Sequence, residues 1–235
     1  MRRPLNLALA IGVAGLVVGL TGCGNQAVVG SIEPTAATPT AGKSIAATPV
    51  AATPSPTAVA VVLWPAPPDP LERAVAAGLQ PGPKEFLTNH VHAHLDVFVD
   101  GEPIAVPAGI GINIDDPGVR RFDEPDGSVA YGGITLCSTP CISPLHTHDV
   151  TGIIHTESAT PEPNTLGEFF TEWGVALSDS CVGEFCKPKA IAFYVDGEPY
   201  SGDPRAIELT DRKVIAIVIG TPPSEIPSTA DFSKA

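Results

Sequence analysis

The sequence predicts an α+β domain, built mainly from antiparallel β-hairpins with one or two short helices. Three observations predict it. Residues 90–99 alternate between apolar and other side chains with the two-residue period of a strand. Asp100-Gly101 then gives a hairpin turn signal, and Val99-Asp100-Gly101-Glu102-Pro103 recurs as Val195-Asp196-Gly197-Glu198-Pro199 after another apolar run. Thr165-x-x-Glu168 forms a capping box ahead of Leu166, Phe169, Phe170 and Trp173, which are spaced for one helical face.

The chain begins with export features. Arg2 and Arg3 precede an apolar run from Leu5 to Leu20, too short for an ordinary membrane span. Leu20-Thr21-Gly22-Cys23 resembles the bacterial lipoprotein signal-peptidase box. The resemblance implies that residues 1–22 are a signal peptide and that Cys23 carries lipid. The membrane would then be a partner and the protein would sit on the outer face of the cell membrane. The alternative is a signal anchor with an incidental cysteine. Residues 23–66 read as a tether, with Ala-Ala-Thr-Pro at 36–39, 46–49 and 51–54. Such a segment buries too little apolar surface to offset its ordering entropy, and it would reach on the order of 100 Å when extended. A single domain is expected over 67–222, with a flexible tail over 223–235.

Within the domain, Asp69-Pro70-Leu71-Glu72 starts a short helix with Asp69 as N-cap, Leu71 and Val75 as its apolar side, and Gly78 as its end. Residues 80–85 form a proline-broken connection. In the strand over 90–99, Val91, Ala93, Leu95, Val97 and Val99 face the core. His90, His92, His94 and Asp96 share the opposite face. Glu102 to Val106 returns as the partner strand. Residues 107–134 read as loops with short strands; calcium at Asp115, Asp116, Asp123, Glu124 and Asp126 is disfavoured because no EF-hand spacing is present.

Leu145 to Glu157 reads as a second hairpin. A two-residue loop at Val150-Thr151 would place His146 opposite His155 and His148 opposite Ile153. After the capped helix, which Gly174 ends, 190–195 and 214–219 are strands. The order of elements from Ile153 to Ile219 makes the C-terminal half β-grasp-like.

Four cysteines remain after Cys23: Cys137, Cys141, Cys181 and Cys186. Three disulfide pairings are possible, and in an exported chain the two local ones, Cys137–Cys141 and Cys181–Cys186, are favoured. The rival reading makes Cys137 or Cys141 a metal ligand.

All six histidines fall within 90–155. Two H-x-H pairs with a further histidine nearby suit one divalent transition metal, zinc or copper. The candidate ligands are His92, His94, His146, His148 and His155, with His90 the expected outsider. Asp149, Glu157 and Asp96 could orient imidazoles, bind the ion or serve as a general base. Met1 is the sole methionine, so Met-rich copper(I) handling is not indicated. With 26 acidic against 13 basic residues and no basic stripe, the chain has no electrostatic footprint for nucleic acid.

The residues His92-Ala93-His94-Leu95-Asp96-Val97-Phe98-Val99-Asp100-Gly101, Leu145-His146-Thr147-His148-Asp149, Gly152-Ile153-Ile154-His155-x-Glu157 and Thr165-Leu166-Gly167-x-Phe169-Phe170-x-x-Trp173-Gly174 resemble a family of uncharacterised exported proteins of bacteria and archaea. The resemblance covers roughly 75–220 and implies one module, with no catalytic role attached. Three functions stay open: metal storage, delivery or sensing; a zinc-dependent hydrolase or lyase with a three-histidine site; and a structural or adhesive surface module. An enzyme is the less favoured of these, and no catalytic residue is assigned.

Overall fold

The computed structural model describes residues 61–134 and 137–235. The proposed signal peptide, the lipidation site Cys23 and the tether up to residue 60 lie outside the described residues. The elements are α1 (Pro70–Ala76), β1 (Asn89–Val99), β2 (Glu102–Ile104), β3 (Arg120–Asp123), β4 (Val129–Gly132), β5 (Leu145–His146), β6 (Ile153–Ser158), α2 (Leu166–Trp173), β7 (Cys181–Val182), β8 (Phe185–Cys186), β9 (Ile191–Val195), β10 (Glu198–Tyr200) and β11 (Val214–Ile219). The fold is α+β, as expected. Among the described residues no helix is long and apolar enough to cross a membrane.

One seven-stranded mixed sheet dominates, in the order β10-β9-β11-β1-β6-β5, with β2 also paired to β1. β1 and β11 run parallel at its centre, and antiparallel partners flank them. Its centre follows from composition: Val214-Ile-Ala-Ile-Val-Ile219 is apolar at every position and buried at every position, as a strand covered on both faces must be.

The alternation of β1 is realised in space. Ala93, Leu95 and Val97 are buried in the main core with Ile215, Ile217 and Ile219, while the histidines occupy the other face. Helix α2 covers the core face. Thr165 accepts a hydrogen bond from the Glu168 backbone, and Glu168 accepts one from the Thr165 backbone at 2.6 Å. Gly174 then ends the helix in the left-handed region at φ +77°. Phe169, Phe170 and Trp173 are buried, each phenylalanine contributing about 1.5–3 kcal/mol relative to exposure.

The repeated turn does the same work twice. Asp100 and Asp196 both take φ +52°, and the registers Val99↔Glu102 and Val195↔Glu198 are equivalent. The Asp196 carboxylate accepts from the Val214 backbone at the start of β11, and Asp100 accepts from Thr221 just past its end.

Several local expectations need correction. Asp69 does not cap α1 with its side chain; its carboxylate instead accepts from Arg73 at 2.8 Å. Val75 faces solvent, and Ala74 is the buried residue of that helix. The return strand after Asp100-Gly101 stops at Ile104 because Ala105 donates to the Val61 carbonyl. The end of the supposed tether thus belongs to the domain: Val61 bridges Ile104, and Trp64 packs edge-on to Trp173.

Residues 107–134 and 137–144 form an excursion with its own small core of Ile112, Tyr131, Ile134, Cys137, Cys141 and Ile142. It carries the β3–β4 hairpin and leads back to β5. Its acidic residues serve turns and ion pairs: Asp116 accepts from Gly118, Asp126 from Ser128, and Asp123 pairs with Arg121. The last fifteen residues, 221–235, contain no helix or strand. They bring Phe232 to 6.3 Å from the His94 ring and Lys234 to 3.3 Å from Glu124.

Candidate metal centre

The two histidine clusters meet within one sheet. β6 lies between β1 and β5, so His92 pairs with His155 and His155 pairs with His146. Three imidazoles therefore form a row across three adjacent strands. The centroid separations are 4.5 Å for His92–His155 and 5.2 Å for His155–His146, close to the strand spacing of about 4.8 Å. One step along the strands, His90 pairs with Glu157 and presents its side chain on the same face.

The facing pair His146 and His155 is as expected, but the tight turn is not. The β5–β6 ladder ends there, and residues 147–152 leave it. Thr147 is drawn off by backbone bonds with Gly109 and Ile110, and its hydroxyl donates to the Pro107 carbonyl at 2.7 Å. His148 consequently does not pair with Ile153. The backbone of β4 holds it instead: the Tyr131 N–H donates to the His148 carbonyl, and His148 Nδ1 donates to the Tyr131 carbonyl at 2.5 Å.

That second bond fixes a tautomer. A carbonyl only accepts, so His148 Nδ1 carries a proton. His146 Nδ1 likewise donates to the Ser143 carbonyl at 3.0 Å. In the neutral rings both Nε2 atoms are then lone pairs, and they face each other at 3.2 Å. Two lone pairs at this distance repel unless a metal ion or a shared proton lies between them. Backbone-anchored Nδ1 with an outward Nε2 is also how metal-ligating imidazoles are held.

Other atoms converge on the same place without partners. His92 Nε2, His155 Nδ1 and Glu157 Oε2 are buried and accept or donate no hydrogen bond. Each such atom costs about 1–3 kcal/mol if nothing binds it. His146, His148, His155 and Glu157 each offer a donor atom within 4.8 Å of the others; His90, His92 and Glu157 form a second such group. Donors around tetrahedral zinc lie ~3.4 Å apart, which the His146–His148 pair already approaches.

Burial sets the protonation. It pushes His92 down to about 4 and His155 down to about 3, helped by neighbouring imidazoles, and it holds His146 well below the usual range. Burial raises the Glu157 carboxyl, and it raises that of Glu85, with help from Glu157. The His92, His146 and His155 rings are thus neutral at pH 7, the state that binds metal. The sign for the metal-free protein follows. The unfolded chain protonates these histidines near 6.5 and the fold only near 4 and 3, so stability is full above 6.5 and lost as pH falls through 4. We expect a urea unfolding series to show a loss on the order of 2–3 kcal/mol between pH 7 and 4.5, after discounting for partial exposure, ring–ring coupling and the two raised carboxyls. A flat profile would refute the neutral-imidazole state.

The remaining candidates are placed elsewhere. The outsider is His94, not His90. His94 Nε2 donates to the Thr151 carbonyl at 2.8 Å, while Nδ1 makes no hydrogen bond and lies 3.2 Å from the Asp96 carboxylate, apart from both groups of converging donors. Asp149 accepts from the Thr151 backbone and hydroxyl as a turn residue. Cys137 is bonded to Cys141, and Cys181 to Cys186, which removes the thiolate-ligand reading. Glu85, on the proline-broken connection, was not anticipated: its Oε1 lies 3.9 Å from His148 Nε2. A lone glutamate in a loop has no spacing signal that could have pointed to it. Beside it a shallow depression of about 470 Å³, lined by Tyr131, His148, Asp149 and Lys234 among others, opens the cluster to solvent.

No protein-family model matches the chain, and no curated protein or solved structure matches it either.

Proposed function

We propose that this domain holds a divalent transition metal, zinc or copper(II), through His146, His148, His155 and Glu157, as a carrier, store or sensor at the cell surface. The observation that carries the reading is the pair of Nε2 lone pairs 3.2 Å apart, each ring locked by its Nδ1 bond to a backbone carbonyl. Imidazole and carboxylate donors without thiolate or thioether suit zinc or copper(II) rather than copper(I). The surface location is supported by the lipoprotein-like start of the sequence, and two disulfides suit an oxidising compartment.

The test is elemental analysis of the full chain purified without a metal-affinity tag, followed by chelation. Bound metal at 1,000 times its Kd stabilises a fold by about 4 kcal/mol. A thermal melt should therefore fall on chelation and recover with zinc or copper(II). Absence of zinc, copper, nickel, iron and manganese, even after each is offered, would overturn the reading. A zinc-dependent hydrolase or lyase is the second reading, with three histidines holding the ion and Glu157 left off it; one feature favours it, the Glu85 carboxyl beside His148 at the open depression, where a general base could serve a water in the fourth position. Turnover of simple ester or phosphoester substrates by the zinc-loaded protein, lost in Glu85→Gln, separates it from a carrier.

A further inference from the structure

The geometry points to a dinuclear centre in which Glu157 bridges the ion at His146, His148 and His155 to a second divalent ion at His90 and His92. This rests on the metal-binding reading above. A single ion in the inner position leaves much of the cluster without a purpose. His92 Nε2 would remain buried and unpartnered, and so would one oxygen of Glu157. A second ion accounts for both atoms.

The strand register supplies the placement. Glu157 faces His90 across the β1–β6 ladder, and His155 faces His92. One carboxylate oxygen therefore lies 3.3 Å from His90 Nε2 and 3.5 Å from His155 Nδ1, between the two groups of imidazoles. A carboxylate has two oxygens and about four lone-pair directions, enough to serve two ions. Paired ions in proteins sit about 3.5–4 Å apart, and the His92 and His155 rings that would flank the gap are 4.5 Å apart. Charge is partly offset: imidazole ligands add none, so Glu157 and the neighbouring Glu85 supply two negative charges against the four of the two ions, inside a chain of net charge −13.

The two positions differ in kind. The inner one has four protein donors, with His146 and His155 almost wholly buried. Four donors close a tetrahedral shell and favour retention. The outer one has three donors, and the His90 side chain is 42% exposed. It keeps room for water or for an incoming ligand, so the outer ion is the exchangeable one.

The experiment is metal stoichiometry by equilibrium dialysis of the full chain, made without an affinity tag, against zinc or copper(II). Two ions per chain are expected, falling to one in the His90→Ala/His92→Ala double variant. A second measurement needs no variant: with two equivalents of copper(II), the paramagnetic resonance signal should integrate to well below the total copper, because ions bridged by one carboxylate couple. One ion per chain in both proteins, or two ions whose signal accounts for all the copper, overturns the bridged pair and leaves the inner site standing. No bound metal overturns both.

Discussion

Replacing His155 with alanine should lower the affinity for the proposed inner ion by on the order of 10³-fold, more than the 10–100-fold typical of residues that only orient a ligand. His155 is the hub of the cluster. Its ring lies 4.4 Å from His148, 4.5 Å from His92 and 5.2 Å from His146, and its Nδ1 is 3.5 Å from Glu157. The change also removes a buried unpartnered nitrogen from the metal-free fold, and that gain offsets part of the cavity cost. Metal-bound and metal-free stability should therefore move by different amounts. Competition against a chromophoric chelator measures the affinity, and His94→Ala is the control. His94 belongs to neither group of converging donors, with Nε2 bonded to Thr151 and Nδ1 facing Asp96, so its loss should leave affinity within tenfold. Equal losses in the two variants, or a His155→Ala protein that binds normally, would place the site elsewhere.

How far this site could be read from sequence depends on which interactions are local. The face carrying His90, His92 and His94 follows from parity alone, because strand side chains alternate and the apolar set must go inward. The His146–His155 pair followed from assuming a hairpin, and it survives although the turn does not, since the ladder between these two residues is fixed where β5 meets β6. What sequence could not show is long-range. β1 borders β6 on one side and the parallel β11 on the other, and nothing within either segment specifies that adjacency. The roles of His90 and His94 were exchanged for the same reason. His94 is claimed by a carbonyl 57 positions away, and His90 by a carboxylate on β6. Terminal effects failed similarly: Asp69 had the right type and position for a cap, but Arg73 on the next turn offered its carboxylate a charged donor.

A methyl group at Gly111, which is no ligand, should damage both the fold and the metal centre. Gly111 takes φ +72°, in the left-handed region that costs a residue with a Cβ about 1–2 kcal/mol. Space is the larger obstacle. An added Cβ would collide with the Leu145 carbonyl oxygen and lie 3.0 Å from Glu172 Oε1 and 3.2 Å from the His146 Cβ. The first of these is backbone and cannot rotate away. Ser143 meanwhile donates to the Gly111 carbonyl at 2.8 Å, and the Ser143 carbonyl holds His146 Nδ1. The segment 143–146 must shift, carrying with it the bond that sets the His146 tautomer. Strain and overpacking together suggest a loss of about 3–4 kcal/mol in Gly111→Ala, with metal affinity reduced on the order of 10–100-fold. Gly78→Ala isolates the backbone contribution, because Gly78 has φ +86° and nothing within 4 Å of its added Cβ. It should cost about 1–2 kcal/mol and leave binding unchanged. Urea unfolding of the metal-free proteins and chelator competition give the two readouts separately. A Gly111→Ala protein that is destabilised yet binds metal at full strength would show that the Ser143–His146 bond does not position the ion.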